Sequence, residues 1–454
     1  MNRSIFPPVL FLIMTGWFLL TSCEKDTSLD KTPSKVNEWI YDTMKENYLW
    51  TEELPAFRDT DAEPEVFFNS LLSEKDGKHT DGNDYYFSTI EKDLSTRSGS
   101  SSLTYGFIPA YRYFPTNPSI IYAAVKYVLP NSPAEKAGLK RGDWISNYNN
   151  IQLTNTNYTQ FHAYTGKMTL TVGDLLNTGL VNARKVELEA AITMPENPIL
   201  VDTTLLVNNK KIGYLMYNSF VSGPTGNDDK AYDDQLKTVF TKFAGQKPEE
   251  FVLDLRYNGG GLLSSAQLLA TMLAPEKNLG NLFCTLVYNK SLNREDTEYT
   301  LDKSNISNGG ANLNLNRLYV ITGSETASAS ELIINGLRPY MDVILIGTQT
   351  VGKNVGSQEF SGKSKNHPWI LHPITCWVQN SQGSSDYALG FLPDFEVIDE
   401  FNSELGNPDE YMLSQVLSVI TTGSLIPTPT FRNAGYNLQV APLPRKGIQG
   451  LIIE

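Results

Sequence analysis

Three stretches of the chain carry residue types suited to acyl transfer. In Thr326-Ala327-Ser328-Ala329-Ser330-Glu331 a serine lies among small residues just ahead of an apolar helical pattern, and Ser328 with Glu331 fits a capping box. Capping is the ordinary use of such a serine. The strand expected to end at Ile321 changes the reading. Strand, short turn and helix together put the hydroxyl at the carboxyl end of a parallel sheet, beside free helix N–H groups that would stabilise an oxyanion. In Asp254-Leu255-Arg256-Tyr257-Asn258-Gly259-Gly260-Gly261 a second strand runs into a glycine turn, which lets main-chain amides approach an acyl oxygen closely. A phosphate loop would end in Gly-Lys-Ser/Thr, and this turn does not.

A serine nucleophile needs a base. The four histidines, His79, His162, His367 and His372, stand in no local pattern that suggests a triad. Lys353 lies 25 residues beyond Ser328 and follows the next apolar strand, so consecutive strand–helix units bring both to one crevice. A lysine buried away from carboxylates, near the positive end of a helix dipole, has a lowered pKa and can take the serine proton.

Positioning these loops requires a parallel sheet with helical crossovers. Apolar runs at 212–217, 251–255, 318–321 and 343–346 predict its strands, and 232–243, 262–273 and 331–337 predict the helices between them. Beyond Lys353, 369–378 reads as strand and 410–421 as a closing helix. The α/β core is expected over 196–425, with 426–454 a proline-containing tail of unassigned role.

Ahead of the core the texture differs. Val36, Trp39, Ile40, Met44 and Tyr48 share one helical face with Ser34 as N-cap, and a second short helix starts at Pro64, so 35–94 is read as a small helical packing segment. STRSGSSS at 95–102 reads as a flexible linker. From 103 to 195 short β-type runs dominate. They include Ser132-Pro133-Ala134-Glu135-Lys136-Ala137-Gly138-Leu139-Lys140-Arg141-Gly142-Asp143, where Ser132 caps a short helix with Pro133 at its first position and Gly138 ends it. This passage resembles a PDZ domain. The resemblance implies a loop for a peptide carboxylate at Tyr105, Gly106 and Phe107, which departs from the usual glycine-rich form by its tyrosine.

With 454 residues, 41% hydrophobic and 19% charged, the chain can bury a sizeable core in two or three domains. A net charge of −13 without a basic block argues against a nucleic-acid partner. Arg3, the apolar run 9–20 and Leu20-Thr21-Ser22-Cys23 make a leader over 1–22 that is too short to span a bilayer and resembles the bacterial lipoprotein box. That resemblance implies a lipid on Cys23, a tether over 23–34 and a membrane-anchored protein of the bacterial cell envelope, in the outer membrane on its periplasmic or surface face. Cys284 and Cys376 are too far apart in sequence to imply a disulfide framework or a zinc site.

Taken in order, the PDZ signature, Asp254 to Gly261, the Ser328 stretch and Gly352-Lys353 resemble the carboxyl-terminal processing peptidases, or tail-specific proteases. The resemblance covers roughly residues 36–421 and implies a multidomain α/β protein: a small N-terminal helical segment, a PDZ-like β-rich domain and a crotonase-like α/β peptidase core. It implies Ser328 as nucleophile, Lys353 as general base at the family's spacing, and Ala329 with a glycine of 259–261, foremost Gly260, as oxyanion hole. The expected function is a serine endopeptidase forming an acyl-enzyme, needing no metal or cofactor, on polypeptides recognised through their C-termini by the PDZ-like domain. The alternative is a catalytically silent binding protein on the same fold, for a peptide or an apolar ligand. The family's lysine-orienting glutamine, four positions after the lysine, is replaced by Ser357, with Gln358 next; Ser357, Gln358 and Glu331 all stand as candidates for that role.

Overall fold

The computed structural model describes residues 33–56, 58–79, 85–92, 103–176, 178–427 and 451–453. The leader with Cys23, nearly all of the tether, the linker 95–102 and all of the tail beyond 427 except 451–453 lie outside the described residues.

The core is built on a sheet in which Lys210–Tyr217, Glu250–Asp254, Arg317–Thr322, Asp342–Gly347 and Phe395–Glu396 run parallel in that spatial order. Ile199–Val207 closes one edge antiparallel to Lys210–Tyr217. The strands read as unbroken apolar runs because both faces are covered. Leu215, Leu253, Val320 and Leu345 pack with the helices Ala231–Gln246, Leu263–Leu273 and Ala329–Leu337, while Tyr214, Met216, Val252 and Ile321 pack under the helix Tyr411–Thr422. Every parallel strand therefore delivers its C-terminal loop to the same edge, and the loops after Asp254, Thr322 and Gly347 are the three singled out by their chemistry.

A second sheet, unforeseen in the sequence, orders Thr297–Thr300, Leu282–Tyr288, Ile374–Gln379, Val355–Gln358 and Leu451–Ile453. The N-terminal segment packs on it. Helix Pro33–Asn47 begins one residue before Ser34, which is thus inside the helix instead of capping it, since proline is preset for the first helical position. Helix Pro64–Asn69 follows as expected. The segment is not purely helical, because Thr89–Lys92 pairs antiparallel with Trp369–His372. Ile40, Met44, Tyr48 and Phe68 pack against Val355, Leu371 and Ile374 of the core.

Residues 103–193 form a separate antiparallel sheet, ordered Phe107–Phe114, Asn117–Val128, Trp144–Tyr148, Met168–Leu176 and Gly179–Leu188, with the helix Tyr158–Ala163 packed on it. The short helix Pro133–Lys136 is capped as the sequence indicates, Ser132 Oγ accepting from Glu135 N–H at 3.1 Å and Gly138 following at φ +74°.

This domain is riveted to the core by Arg141. Its guanidinium is buried and donates to Asp399 (2.6 Å), Glu410 (3.1 Å) and the Tyr257 hydroxyl (2.8 Å), and to the carbonyls of Lys126 and Ser403. Glu410 and Asp254 in turn hold Arg256, three residues before Gly259 of the glycine turn. The neighbouring Gly142 (φ +85°) is required by the closeness of the two units, since a Cβ there would meet the Phe401 carbonyl oxygen at 2.3 Å. Replacing Arg141 with alanine leaves three carboxylates, Asp254, Asp399 and Glu410, to share Arg256 alone. The expected loss is about 3–5 kcal/mol, read as a shift of the urea midpoint, whereas a surface ion pair would cost well under 1 kcal/mol.

Among the described residues no helix is long and apolar enough to cross a membrane.

Candidate active site

Ser328 occupies the sharp turn between the strand Arg317–Thr322 and the helix Ala329–Leu337, with φ +58° and ψ −108°, a conformation that costs a non-glycine residue roughly 1–3 kcal/mol. The surroundings enforce it. Ala327 N–H donates to the Asn258 carbonyl (3.1 Å), Ser330 Oγ donates to the same carbonyl (3.0 Å), and Thr326 Oγ1 donates to the Leu255 carbonyl (2.8 Å). The serine turn is thereby stitched to the glycine turn. As the first residue of its helix, Ala329 has an N–H with no intrahelical acceptor, and it lies where a Cβ on Gly260 would be 3.1 Å from its nitrogen and 3.0 Å from Ser328 Cβ.

Glu331 joins serine and lysine. Its buried carboxylate accepts Ser328 N–H and Lys353 N–H on Oε2, each at 2.8 Å, and Gly352 N–H and Thr350 Oγ1 on Oε1, each at 2.6 Å. The two amides on Oε2 are therefore within twice that distance of each other. Burial pushes the Glu331 pKa up and these hydrogen bonds pull it back. The capping-box glutamate thus sets the lysine loop as well as the helix end.

The Lys353 side chain is buried, and Nζ has no hydrogen-bond partner among the described residues. It sits over the Phe87 ring, 5.0 Å from its centroid. Burial lowers its pKa from 10.5 to about 8, against the opposing pull of Asp76 and Glu331. Asp76 was not suspected from sequence. It is fully buried and accepts from Tyr48 Oη (2.9 Å), Ser88 Oγ (2.5 Å) and the amides of Phe87 (3.0 Å) and Ser88 (3.1 Å). The N-terminal segment, expected to serve packing alone, supplies both the aromatic ring beside the lysine and the stronger of the two carboxylate charges that act on it.

Other expected residues are placed differently. Gly260 lies beside Ser328, but its N–H donates to Asn258 Oδ1 at 2.9 Å, so this amide is engaged within its own turn. Asn258 is buried and also holds the Tyr217 carbonyl, a role its place before the glycines does not signal. Ser357 and Gln358 are not brought to the lysine ammonium: Ser357 Oγ donates to the Leu451 carbonyl (3.2 Å), and Gln358 Oε1 accepts from Arg294 (2.8 Å). The strand Val355–Gln358 begins immediately after the lysine loop and carries both away from it. In the PDZ-like loop, Gly106 N–H donates to Thr104 Oγ1 (2.9 Å), and the Tyr105 hydroxyl to the Gly166 carbonyl, so both groups are engaged within the domain. Phe107 starts the edge strand of that sheet.

Ser328 Oγ itself accepts a hydrogen bond from Leu451 N–H, a contact no sequence signal indicated. A cleft of about 620 Å³ is lined by Phe87, Gly352, Asn354 and Val355 of the lysine loop's surroundings, and Ser328 is not among its lining residues. Among the described residues no group of His, Cys, Asp and Glu is arranged to hold a metal ion, and Cys284 and Cys376 are buried and free.

Residues 211–397 match peptidase family S41, residues 35–89 the peptidase S41 N-terminal domain, and residues 125–172 a PDZ domain. A crystal structure from Bacteroides fragilis NCTC 9343, of a protein assigned to the S41 proteases, superposes with a TM-score of 0.74 at 35% identity, covering 84% of this chain and 96% of that one. Carboxyl-terminal-processing proteases of Picosynechococcus and Synechocystis are 27% identical over 244 residues and 24% identical over 315 residues. The matched parts are 53% of this chain and 52% of the first relative, and 68% and 67% for the second, so the chain spans about half the length of the Picosynechococcus protein.

Proposed function

Because the chain belongs to peptidase family S41, we propose that it is a serine endopeptidase of the C-terminal processing type, with Ser328 as nucleophile and Lys353 as general base. The observation that carries this reading is one buried carboxylate, Glu331, that takes the main-chain amides of both Ser328 and Lys353, joining a strained serine turn to a buried lysine whose Nζ has no hydrogen-bond partner among the described residues. Neutral Lys353 takes the hydroxyl proton as Oγ attacks the peptide carbonyl carbon. The oxyanion is held by Ala329 N–H and by the glycine turn, where Gly260 N–H serves once shared with or released from Asn258. The resulting Lys353 ammonium then gives its proton to the departing amine, leaving an ester on Ser328. Water, deprotonated by the same lysine, hydrolyses the ester and restores both residues.

Polypeptides are the substrate class, approached near their C-termini. The PDZ-like domain serves recognition or gating: Phe107–Phe114 is the edge strand of its sheet, the kind of edge to which a peptide strand adds, and Arg141 couples the domain to Tyr257 beside the glycine turn. Cys23 is the proposed lipid attachment site, placing the protein in the bacterial envelope. Expressed in a bacterium, the chain then sediments with membranes, and Cys23→Ala releases it; unchanged sedimentation contradicts the anchor. The silent binding protein considered from sequence gains no support from the matches above.

The function is tested by incubating an unstructured polypeptide with the wild-type chain and Ser328→Ala over pH 6 to 10. Cleavage by the wild type should rise with pH around a midpoint of about 8 and be lost in the variant. Undiminished cleavage by Ser328→Ala would remove the proposed nucleophile.

A further inference from the structure

The chain places one of its own segments against the nucleophile. Leu451–Ile453 lies as an extended strand between the two walls that flank Ser328. On one side it pairs in parallel with Val355–Gln358, Gly356 opposite Leu451 and Gln358 opposite Ile453. On the other it bridges Leu262, with Ile452 N–H donating to the Gly261 carbonyl at 3.0 Å. Its first amide donates to Ser328 Oγ, and its first carbonyl accepts from Ser357 Oγ. Leu451 and Ile453 point into the core and are 1% and 6% exposed, whereas the intervening Ile452 is only half-buried. Gly356 makes room for the third residue, since a Cβ there would be 3.0 Å from Ile453 Cδ1.

An ordinary edge strand would complete the sheet without touching the hydroxyl. This one occupies the space in front of the hydroxyl, engages one of its two lone pairs, and pairs with main chain on both of its sides. We infer that Leu451–Ile453 is an internal peptide seated in the substrate groove of Ser328, which substrate must displace. The same contacts define what displaces it: an extended peptide with apolar side chains at the first and third of three consecutive positions, the first following the bond at the serine. The inference rests on the peptidase reading for the word substrate, and on geometry alone for the groove. A tethered occupant competes at high effective concentration, so its removal should raise affinity for an added peptide by about tenfold or more.

The test uses the full chain carrying Ser328→Ala, with and without Leu451→Asp and Ile453→Asp, and a fluorescent peptide of sequence Ile-Gln-Gly-Leu-Ile-Ile-Glu followed by anisotropy. The doubly substituted tail should bind the peptide at least about tenfold more tightly than the native tail, and a peptide with aspartate at both apolar positions should not bind. Equal affinities, or no binding to either chain, overturn the inference. Hydrogen exchange on the unsubstituted chain is the second measurement: saturating peptide should speed exchange at Ile452 and Ile453, and unchanged exchange overturns it too. No cleavage is needed in either assay. Binding as expected together with no cleavage by the chain that retains Ser328 keeps the groove and removes the peptidase, whereas cleavage by the Ser328 chain that the tail substitutions leave unchanged, with equal affinities, does the reverse.

Discussion

Lys353→Met should abolish hydrolysis and make the protein more stable at neutral pH. The loss in kcat is expected to be at least about a thousandfold, because the serine then has no proton acceptor in the buried site. The gain has the same origin. Burial lowers the lysine pKa to about 8 from the 10.5 expected in the unfolded chain. Between those values the unfolded state binds the extra proton, so stability rises with pH through this window. Below pH 8 both states are protonated and the cost of burying the charge is fully present. A methionine of similar length removes that cost, on the order of 3 kcal/mol at pH 7, and the difference should vanish near pH 10.5. Urea titrations of both chains at pH 7 and pH 10.5 measure it. A variant less stable than wild type at pH 7 would show that the ammonium has a favourable partner, contrary to an Nζ that lies over Phe87 with no hydrogen-bond partner among the described residues.

The second large effect belongs to Glu331, a positioning residue. Glu331→Gln keeps the shape but offers an amide NH₂ to donors that converge in pairs on both oxygens, so two of the four hydrogen bonds are lost or reversed. Each buried donor left without an acceptor costs about 1–3 kcal/mol, and a displacement of the serine or lysine loop by about 1 Å costs on the order of a hundredfold in kcat. A damaged fold would do the same, and the pH profile separates the two causes. The Glu331 charge raises the Lys353 pKa, so removing it should move the acid limb of kcat/KM below its midpoint of about 8. An acid limb that stays in place while activity falls would leave Glu331 with a structural role only.

Much of the core was legible because its signals are local. The strands at Ile212, Phe251, Leu318 and Val343 are covered on both faces and so read as continuous apolar runs, and Ser328, Glu331 and Lys353 sit in the loops that parallel strands must deliver to one edge. What was missed depends on contacts between distant parts of the chain. Asp76 is an ordinary polar residue in sequence and acquires its role only because Tyr48, Phe87 and Ser88 fold around it beside the lysine. Arg141 looks like a turn residue of the PDZ-like unit until Asp399 and Glu410 arrive from more than two hundred and fifty positions away. Ser357 and Gln358 failed as lysine partners because spacing cannot tell a continuing loop from a strand that has already turned away. Leu451, beyond a proline-containing stretch, carried no sign that it would meet Ser328.

The central claim, that Ser328 is a nucleophile activated by Lys353, is tested most directly by a small phosphonylating reagent selective for activated serines. The reagent is applied to the wild type and to Lys353→Met across pH 6 to 10, and the adduct is located by peptide mass. The account predicts one adduct, on Ser328, forming at a rate that rises through pH about 8 and falls to the uncatalysed level when the lysine is replaced. An adduct on another residue, or a Ser328 rate that is indifferent to Lys353→Met, would contradict it.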